Sequence, residues 1–212
     1  MELNYAINIG RQLGSGGREV GEELARRLGI EFYDRKLINL AARESGMCPE
    51  VFEHADEKRS RSRMNMLLGY LRAPFAGDAG GTDILSDDAL FKIQSDVIRD
   101  AAARESAVFV GRCADYILRE HPRTASVFIT ADDGDRIRRI CARMGCDEAQ
   151  ARQIMERGDA RRAGYYNYFS MRTWGAAASY DLCVNTSVLG IERTVDLILG
   201  FAARKLDLNI DL

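Results

Sequence analysis

Four glycines lie within eight residues near the start of the sequence, between a short apolar run and a helical pattern. They are Gly10, Gly14, Gly16 and Gly17. The apolar run over residues 5–9 predicts a strand, so the order is strand, glycine-rich loop and helix. Such a loop binds anions, because the bare N–H groups and the dipole at the start of the helix point at whatever lies there. The spacing therefore predicts phosphate chemistry, and a tight turn without a ligand is the structural alternative.

The glycine spacing by itself also fits a dinucleotide site. Gly10-x-x-x-Gly14-x-Gly16 has the spacing of short-chain dehydrogenases, and Asp34 ends the second predicted strand, where a ribose-binding acid would lie. Those enzymes also need a Tyr-x-x-x-Lys pair for proton transfer. No lysine of this chain has a tyrosine four residues before it, which argues against a dehydrogenase.

A mononucleotide P-loop has the motif G-x-x-x-x-G-K-[ST], whose lysine reaches the phosphates and whose hydroxyl binds Mg²⁺. When Gly16 is taken as the last glycine of that motif, Arg11, Gly17 and Arg18 stand where Gly, Lys and Ser/Thr belong. The standard motif is therefore not matched. Arg18 is the nearest candidate for the missing positive charge, because a guanidinium binds phosphate oxygens in a bidentate manner.

The basic residues of this chain are unevenly chosen, since only four of the 30 lysines and arginines are lysines. Arg157, Arg161 and Arg162 are spaced four or five residues apart, which places them close together on one face of a predicted helix. Such a face predicts a lid whose arginines close on a transferring phosphoryl group and stabilise its charge. A solvated helix with ion pairs to Glu156 and Asp159 is the alternative.

Polar residues also follow three predicted strands, at the edge of a parallel sheet where ligands bind. Asp34 predicts a contact to a magnesium-bound water or to the substrate, or else an N-cap of the next helix. Arg112 predicts a phosphate contact, or else an arginine paired with Asp115. Asn185 predicts a contact to an adenine base, or else a polar turn.

Composition excludes several classes of protein. A length of 212 residues predicts one domain, and 46% hydrophobic with 29% charged residues is typical of a folded globular chain. The net charge of −2 argues against a globally basic nucleic-acid binder. No apolar run approaches the ~18 residues of a membrane span, so we expect a cytoplasmic protein. Five cysteines without a C-x-x-C pair and only two histidines argue against disulfide scaffolds and zinc sites.

Five short predicted strands alternate with helices along the chain, which favours an α/β fold with a parallel five-stranded sheet and helices on both faces. The strands are predicted at residues 5–9, 30–33, 107–110, 125–129 and 182–184, and one of the helices from residue 147 to about residue 163. Two segments have special roles in this interpretation. Residues 47–85 are predicted to be an insert on the substrate side, and residues 152–175 a lid-like segment.

Three stretches resemble the cytidylate-kinase-like family of bacterial P-loop proteins. They are INIGRQLGSGGREVGEELARRLGIEFYDRKLI, VFVGRCADYIL, and RRAGYYNYFSMRTWG followed by YDLCVNTSVLGIE. The resemblance implies one three-layer P-loop kinase-like domain over residues 1–212. It also implies phosphoryl transfer from ATP, with Mg²⁺, to a nucleoside monophosphate such as CMP or dCMP. The small-molecule nucleotides would be its partners, with no nucleic acid and no membrane, and a homodimer is left open.

The resemblance, together with the loop and arginine patterns, gives each candidate residue a role. The nucleotide-phosphate-binding residues are Gly14, Ser15, Gly16, Gly17, Arg18 and Glu19. The catalytic arginines are Arg18, Arg157 and Arg161, the acceptor-binding residues are Asp34, Arg112 and Arg162, and Asn185 lies on the adenine side. No protein ligand of the metal is assigned. Two other functions stay open: a nucleotide-binding or sensing protein that has lost the loop lysine and catalysis, and a kinase of another small acceptor shaped by residues 47–85.

Overall fold

The computed structural model describes residues 4–34 and 87–209, and helices and strands are numbered in chain order within these ranges. The chain forms two compact units, one of Met1–Leu37 with Ile98–Leu212 and one of Ile38–Val97. The first unit contains the sheet and all of the predicted site residues. The predicted insert at residues 47–85 lies outside the described residues.

The first unit is built on one sheet of five strands. The strands are β1 (Ala6–Arg11), β2 (Glu31–Tyr33), β3 (Ala107–Val110), β4 (Thr124–Thr130) and β5 (Leu182–Asn185). Their order is β2-β3-β1-β4-β5, and every neighbouring pair is parallel. The predicted five-stranded parallel sheet is therefore confirmed. Because all the strands run the same way, the residues that follow them meet at one edge of the sheet.

Six α-helices lie in the described ranges. They are α1 (Gly17–Leu28), α2 (Asp87–Arg104), α3 (Ala114–Ile117), α4 (Asp133–Met144), α5 (Glu148–Ser170) and α6 (Thr186–Leu206). Helix α5 continues to Ser170, beyond its predicted end near Ala163. Helix α6 begins directly after β5 and bends at Gly190, whose φ of 73° is not helical. None of these helices is long and apolar enough to cross a membrane.

The main core lies between the sheet and helices α1 and α6. Alternate residues of β1, Ile7 and Ile9, face this layer, together with Val20 and Leu24 of α1. The four-residue spacing of the α1 pair gives the helix one apolar stripe, which is why it packs flat on the strands. Helices also cover the opposite face, so the sheet is the middle of three layers. This packing fixes where β1 ends and α1 begins.

Helices α4 and α5 pack together as a hairpin with a small core of its own. The buried residues of that core are Ile137, Ile140, Ala151 and Met155. Leu13, from the loop between β1 and α1, packs against the same cluster. The hairpin is therefore in direct contact with the glycine-rich loop.

Candidate functional site

The glycine-rich loop joins the end of β1 to the start of α1 at the carboxyl edge of the sheet. Gly14 and Gly16 both have φ of 80°, a conformation that is costly for residues with a Cβ atom. Gly14 is also tightly packed, since a Cβ atom there would lie 2.7 Å from the carbonyl oxygen of Arg136. Gly16 precedes α1, and no side chain caps the helix there. The first N–H groups of the helix are therefore free of intrahelical partners and available to an anion.

One side of the loop is held by a buried ion pair between the helices of the hairpin. Asp159 of α5 accepts a hydrogen bond from the Leu13 N–H at 2.7 Å, and Arg136 of α4 donates to the Leu13 carbonyl at 2.9 Å. Arg136 and Asp159 form a salt bridge with each other, and their side chains are only 5% and 17% exposed. Leu13 is thus held at both its N–H and its carbonyl group.

The next two carbonyls of the loop are also bonded to the surrounding structure. Arg139 of α4 donates to the carbonyl of Gly14 at 3.1 Å, and the hydroxyl of Thr186 donates to the carbonyl of Ser15 at 2.7 Å. The Ser15 hydroxyl itself donates to the carbonyl of Gln12 at 2.9 Å. Because the carbonyls of residues 12–15 all accept hydrogen bonds from the protein, they do not oppose an anion bound at the start of α1.

Arg18, the predicted substitute for the loop lysine, is engaged by two carboxylates. Its Nε donates to Asp34 at 3.1 Å and its Nη1 to Glu22 at 2.8 Å, while its guanidinium lies 5.6 Å from the centre of the Phe32 ring. The hydrogen bond to Asp34 is the main reason why the pKa of Arg18 is raised. The structure therefore brings Arg18 and Asp34 together, and the role of Arg18 at a phosphate stays a prediction.

Arg11, at the end of β1, is a candidate that the analysis of the sequence missed. A Cβ atom at Gly111 would lie 2.0 Å from Nη1 of Arg11, so the guanidinium lies directly against the turn after β3. Burial, Arg162 and Arg112 lower the pKa of Arg11 to about 9, and Asp34 opposes that shift only in part. Positive charges therefore crowd at this edge. The sequence feature that could have identified Arg11 is its position, since Arg11 is the last residue of β1 before the loop.

Arg112 follows β3 in an unusual backbone conformation. Gly111, Arg112 and Cys113 have φ of 80°, 57° and 55°, so three successive residues adopt the left-handed region. A residue with a Cβ atom pays about 1–2 kcal/mol for that conformation, and such strain is typical of functional sites. The Arg112 guanidinium lies 5.3 Å from the centre of the Tyr165 ring of α5. The predicted acceptor-side arginine is therefore held at the sheet edge by a turn and an aromatic ring.

The arginines of α5 are not all brought to the loop. Arg162 is partly buried and donates to the carbonyl of Arg11 at 3.0 Å, and burial is the main reason why its pKa is lowered. Arg157 and Arg161 are exposed, and Arg157 has only a long contact of 3.5 Å to Gln153 on its own helix. Arg162 therefore belongs to the edge of the sheet, while the lid role of Arg157 and Arg161 stays a prediction.

A buried aromatic cluster holds one carboxylate behind Arg112. The Tyr166 hydroxyl donates to Asp115 at 2.7 Å, and the rings of Tyr166 and Tyr180 stack at 5.8 Å. Burial raises the pKa of Asp115 above its ordinary value. Arg112 therefore has Tyr165, and not Asp115, as its observed side-chain contact.

Comparison with known proteins decides the family. The sequence model of the cytidylate kinase-like family matches residues 6–188, which include every element of the sheet. The chain belongs to the cytidylate kinase-like family. No curated protein matches the sequence. The expected resemblance is thus confirmed at the level of the family.

Solved structures similar to this cytidylate kinase-like protein extend over nearly the whole chain. An uncharacterised protein from Eubacterium ventriosum ATCC 27560 is 26% identical, with a TM-score of 0.71, and the match covers 94% of this chain and 98% of that one. A gluconokinase from Sinorhizobium meliloti 1021 is 17% identical with a TM-score of 0.54, covering 98% and 96% of the two chains. A shikimate kinase from Bacteroides thetaiotaomicron is 13% identical with a TM-score of 0.51, covering 93% and 97%. The fold is that of P-loop kinases.

This cytidylate kinase-like protein has no room for a lysine at the usual place in the loop. Gly17 occupies the lysine position of the P-loop motif, and a Cβ atom there would lie 2.5 Å from Cβ of Arg11 and 3.0 Å from its Cγ. Real Cβ atoms do not approach each other so closely, so a side chain at residue 17 requires Arg11 to change. The absence of the lysine is therefore coupled to the presence of Arg11.

The predicted adenine-side residue, Asn185, caps helix α6. The Asn185 side chain accepts from the Ser187 N–H at 2.8 Å as the N-cap of α6 and donates to Asp132 at 2.9 Å.

The described residues contain no cluster of three or more His, Cys, Asp or Glu side chains for a metal ion. Mg²⁺ in kinases uses one or two carboxylates together with substrate phosphates, and two carboxylates lie at the start of α1: Glu19 in its first turn, and Asp34, which accepts from Arg18.

Proposed function

We propose that this protein transfers the γ-phosphoryl group of ATP to a nucleoside monophosphate, with CMP or dCMP as the first acceptor to test. Membership of a cytidylate kinase-like family and a P-loop kinase fold support phosphoryl transfer as the reaction class. In this reaction the protein does little covalent chemistry, because catalysis consists of positioning and of stabilising negative charge. The chain's own residues must therefore bind, orient and neutralise phosphates.

The observation that carries the proposal is the orientation of the loop. The carbonyls of Leu13, Gly14 and Ser15 are all bonded to side chains of α4 or α6, and no side chain caps the start of α1, so the N–H groups of its first turn are left for a ligand. We assign the triphosphate to residues 14–19 on this ground. Mg²⁺ bound with the nucleotide would neutralise phosphate charge, with Glu19 and Asp34 as the carboxylates beside it.

The acceptor belongs on the other side of the edge, near the ends of β2 and β3. Asp34 and Arg112 follow these strands, and Arg162 approaches from α5 through its bond to the Arg11 carbonyl. The guanidinium groups of Arg112 and Arg162 would neutralise the charge of a monophosphate bound there, because guanidinium binds phosphate in a bidentate manner. In this proposal Arg157 and Arg161 of the lid-like segment close over the reacting phosphates, and Asn185 lies on the adenine side.

One observation favours a second candidate function. Gly17 cannot carry a lysine while Arg11 is present, so the protein lacks the cation that P-loop kinases place at the β- and γ-phosphates. A protein that binds nucleotides for sensing would need the loop and not the lysine. The test must therefore separate binding from turnover.

The test combines product analysis with ligand binding. The purified protein is incubated with ATP, Mg²⁺ and each common nucleoside monophosphate, and products are separated by anion-exchange chromatography. We expect CDP from CMP or dCDP from dCMP, faster than any other diphosphate. Thermal stabilisation by ATP without any diphosphate product would favour the sensor, since a ligand of the native state raises its stability. ADP formation only with an acceptor other than a nucleotide would identify a different small-molecule kinase.

The predicted catalytic role of Arg18 is tested in the same assay. If Arg18 stabilises charge in the transition state, Arg18→Ala lowers turnover about 10²- to 10³-fold while the protein stays folded. Arg26→Ala is the matched control, because Arg26 is also an arginine of α1 ion-paired to a glutamate, at the end of the helix far from the loop. Equal turnover of the two variants would remove Arg18 from the mechanism.

A further inference from the structure

The end of β1 and the start of α1 have exchanged their side chains relative to the P-loop motif. In G-x-x-x-x-G-K-[ST], residue 11 would be the first glycine and residue 17 the lysine, whereas this chain has Arg11 and Gly17. The two positions are in contact, since a Cβ atom at residue 17 would lie 2.5 Å from Cβ of Arg11. Only one of them can therefore carry a long side chain.

The Arg11 side chain crosses the edge of the sheet. Its Cβ and Cγ atoms lie beside Gly17, and its Nη1, Cζ and Nη2 atoms lie 2.0, 2.9 and 3.2 Å from where a Cβ atom of Gly111 would be. It thus extends from the start of α1, at the loop, to the turn that carries Arg112. Glycine at both contact points, 17 and 111, is what makes room for it.

The charge of Arg11 is only partly compensated by the Asp34 carboxylate, whose effect on the pKa of Arg11 is smaller than those of burial, Arg162 and Arg112. Within residues 4–34 and 87–209 no acidic side chain forms an ion pair with Arg11, in contrast to Arg18 and Arg136. Its nearest charged neighbours include two more cations, Arg162 and Arg112, which together with burial lower the pKa of Arg11. A partly buried cation among cations is unfavourable unless an anion binds there.

We propose that Arg11 supplies the phosphate-binding cation that other P-loop kinases take from the loop lysine, and that it binds the terminal phosphates of an oligophosphate beside the acceptor-side arginines Arg112 and Arg162. The inference rests on the proposed function only in that the oligophosphate would be that of the phosphoryl donor. An arginine suits the position because its planar fork binds two phosphate oxygens at once, and because it reaches the site from the strand without using the helix.

Binding of inorganic tripolyphosphate tests the site without a nucleoside, an acceptor or turnover. Affinity is measured by isothermal titration calorimetry for the wild type, Arg11→Met, Arg11→Lys and the control Arg26→Met. We expect Arg11→Met to weaken binding about 10- to 100-fold, as expected when a charge-assisted hydrogen bond is lost, and Arg11→Lys to weaken it less. The control should bind as the wild type does. No measurable binding by the wild type, or equal affinity of Arg11→Met, would overturn the proposal.

A double variant tests the exchange itself. Gly17→Lys alone should lose tripolyphosphate binding, because the new side chain collides with Arg11. Arg11→Gly together with Gly17→Lys restores the motif residues at both positions and should recover at least part of the lost affinity. If the double variant binds no better than Arg11→Met in a folded protein, the two positions are not exchangeable and the proposal fails.

These outcomes are separable from those of the proposed function. If no nucleoside monophosphate is phosphorylated but Arg11→Met loses affinity for tripolyphosphate, the phosphate-binding role of Arg11 is supported and the proposed kinase activity is refuted. If the wild type forms CDP but Arg11→Met keeps its affinity for tripolyphosphate, the proposed kinase activity is supported and the phosphate-binding role of Arg11 is refuted.

Discussion

Asp159 is the residue whose loss should most clearly reveal how the loop is held. Asp159→Ala leaves Arg136, which is only 5% exposed, without its main counterion, and it also removes the acceptor of the Leu13 N–H. Breaking a buried ion pair on one side costs about 3–5 kcal/mol. Arg136 keeps Asp133 at 3.1 Å and the Leu13 carbonyl at 2.9 Å, so we expect the lower end, about 3 kcal/mol.

The assay is urea unfolding followed by circular dichroism, together with the melting temperature. For a chain of this size about 3 kcal/mol corresponds to a drop of roughly 6–12 °C. Asp159→Asn should also lose stability, because its single amide oxygen can accept from Leu13 or from Arg136, and the other donor then faces its NH2 group. The control is Asp196→Ala, since the pair of Asp196 with Arg27 is 60% and 32% exposed and should contribute about 0–1 kcal/mol. If Asp159→Ala loses no more stability than the control, the clamp on the loop does not exist as described.

Two further variants test the loop and the aromatic cluster by the same unfolding measurement. Gly14→Ala should cost at least about 2 kcal/mol, because its Cβ atom would meet the Arg136 carbonyl and its φ is positive. Gly29→Ala, with a positive φ but open surroundings, should cost less, and equal losses would contradict the packing argument. Asp115→Asn should raise stability near neutral pH, because burial raises the pKa of Asp115 and the charged form is therefore disfavoured in the folded state. The amide oxygen of the variant still accepts from Tyr166, so this hydrogen bond is kept. The gain in stability should shrink as the pH falls toward the ordinary aspartate pKa. A gain that does not depend on pH would contradict the argument from the raised pKa of Asp115.

The sheet and the loop were predictable from local patterns. Short apolar runs bounded by polar turns predict buried strands, and four-residue apolar spacing predicts the stripe of α1. These patterns located all five strands to within about two residues and the start of α1 at the glycines. The end of α5 was less visible, because residues 164–170 combine glycine with aromatic residues and carry no single apolar stripe.

The sequence by itself determined that a strand, a glycine-rich loop and a helix meet at an anion site, because backbone N–H groups at a helix start need no distant partner. Which side chains hold and face that site was decided only by the tertiary structure. Asp159 reaches Leu13 across 146 residues and Thr186 reaches Ser15 across 171, through strand order and helix packing that no local period encodes. The same holds for Arg11. Its spacing from Gly17 is visible in the sequence, but the contact that excludes a lysine exists only once β1 and α1 are packed together.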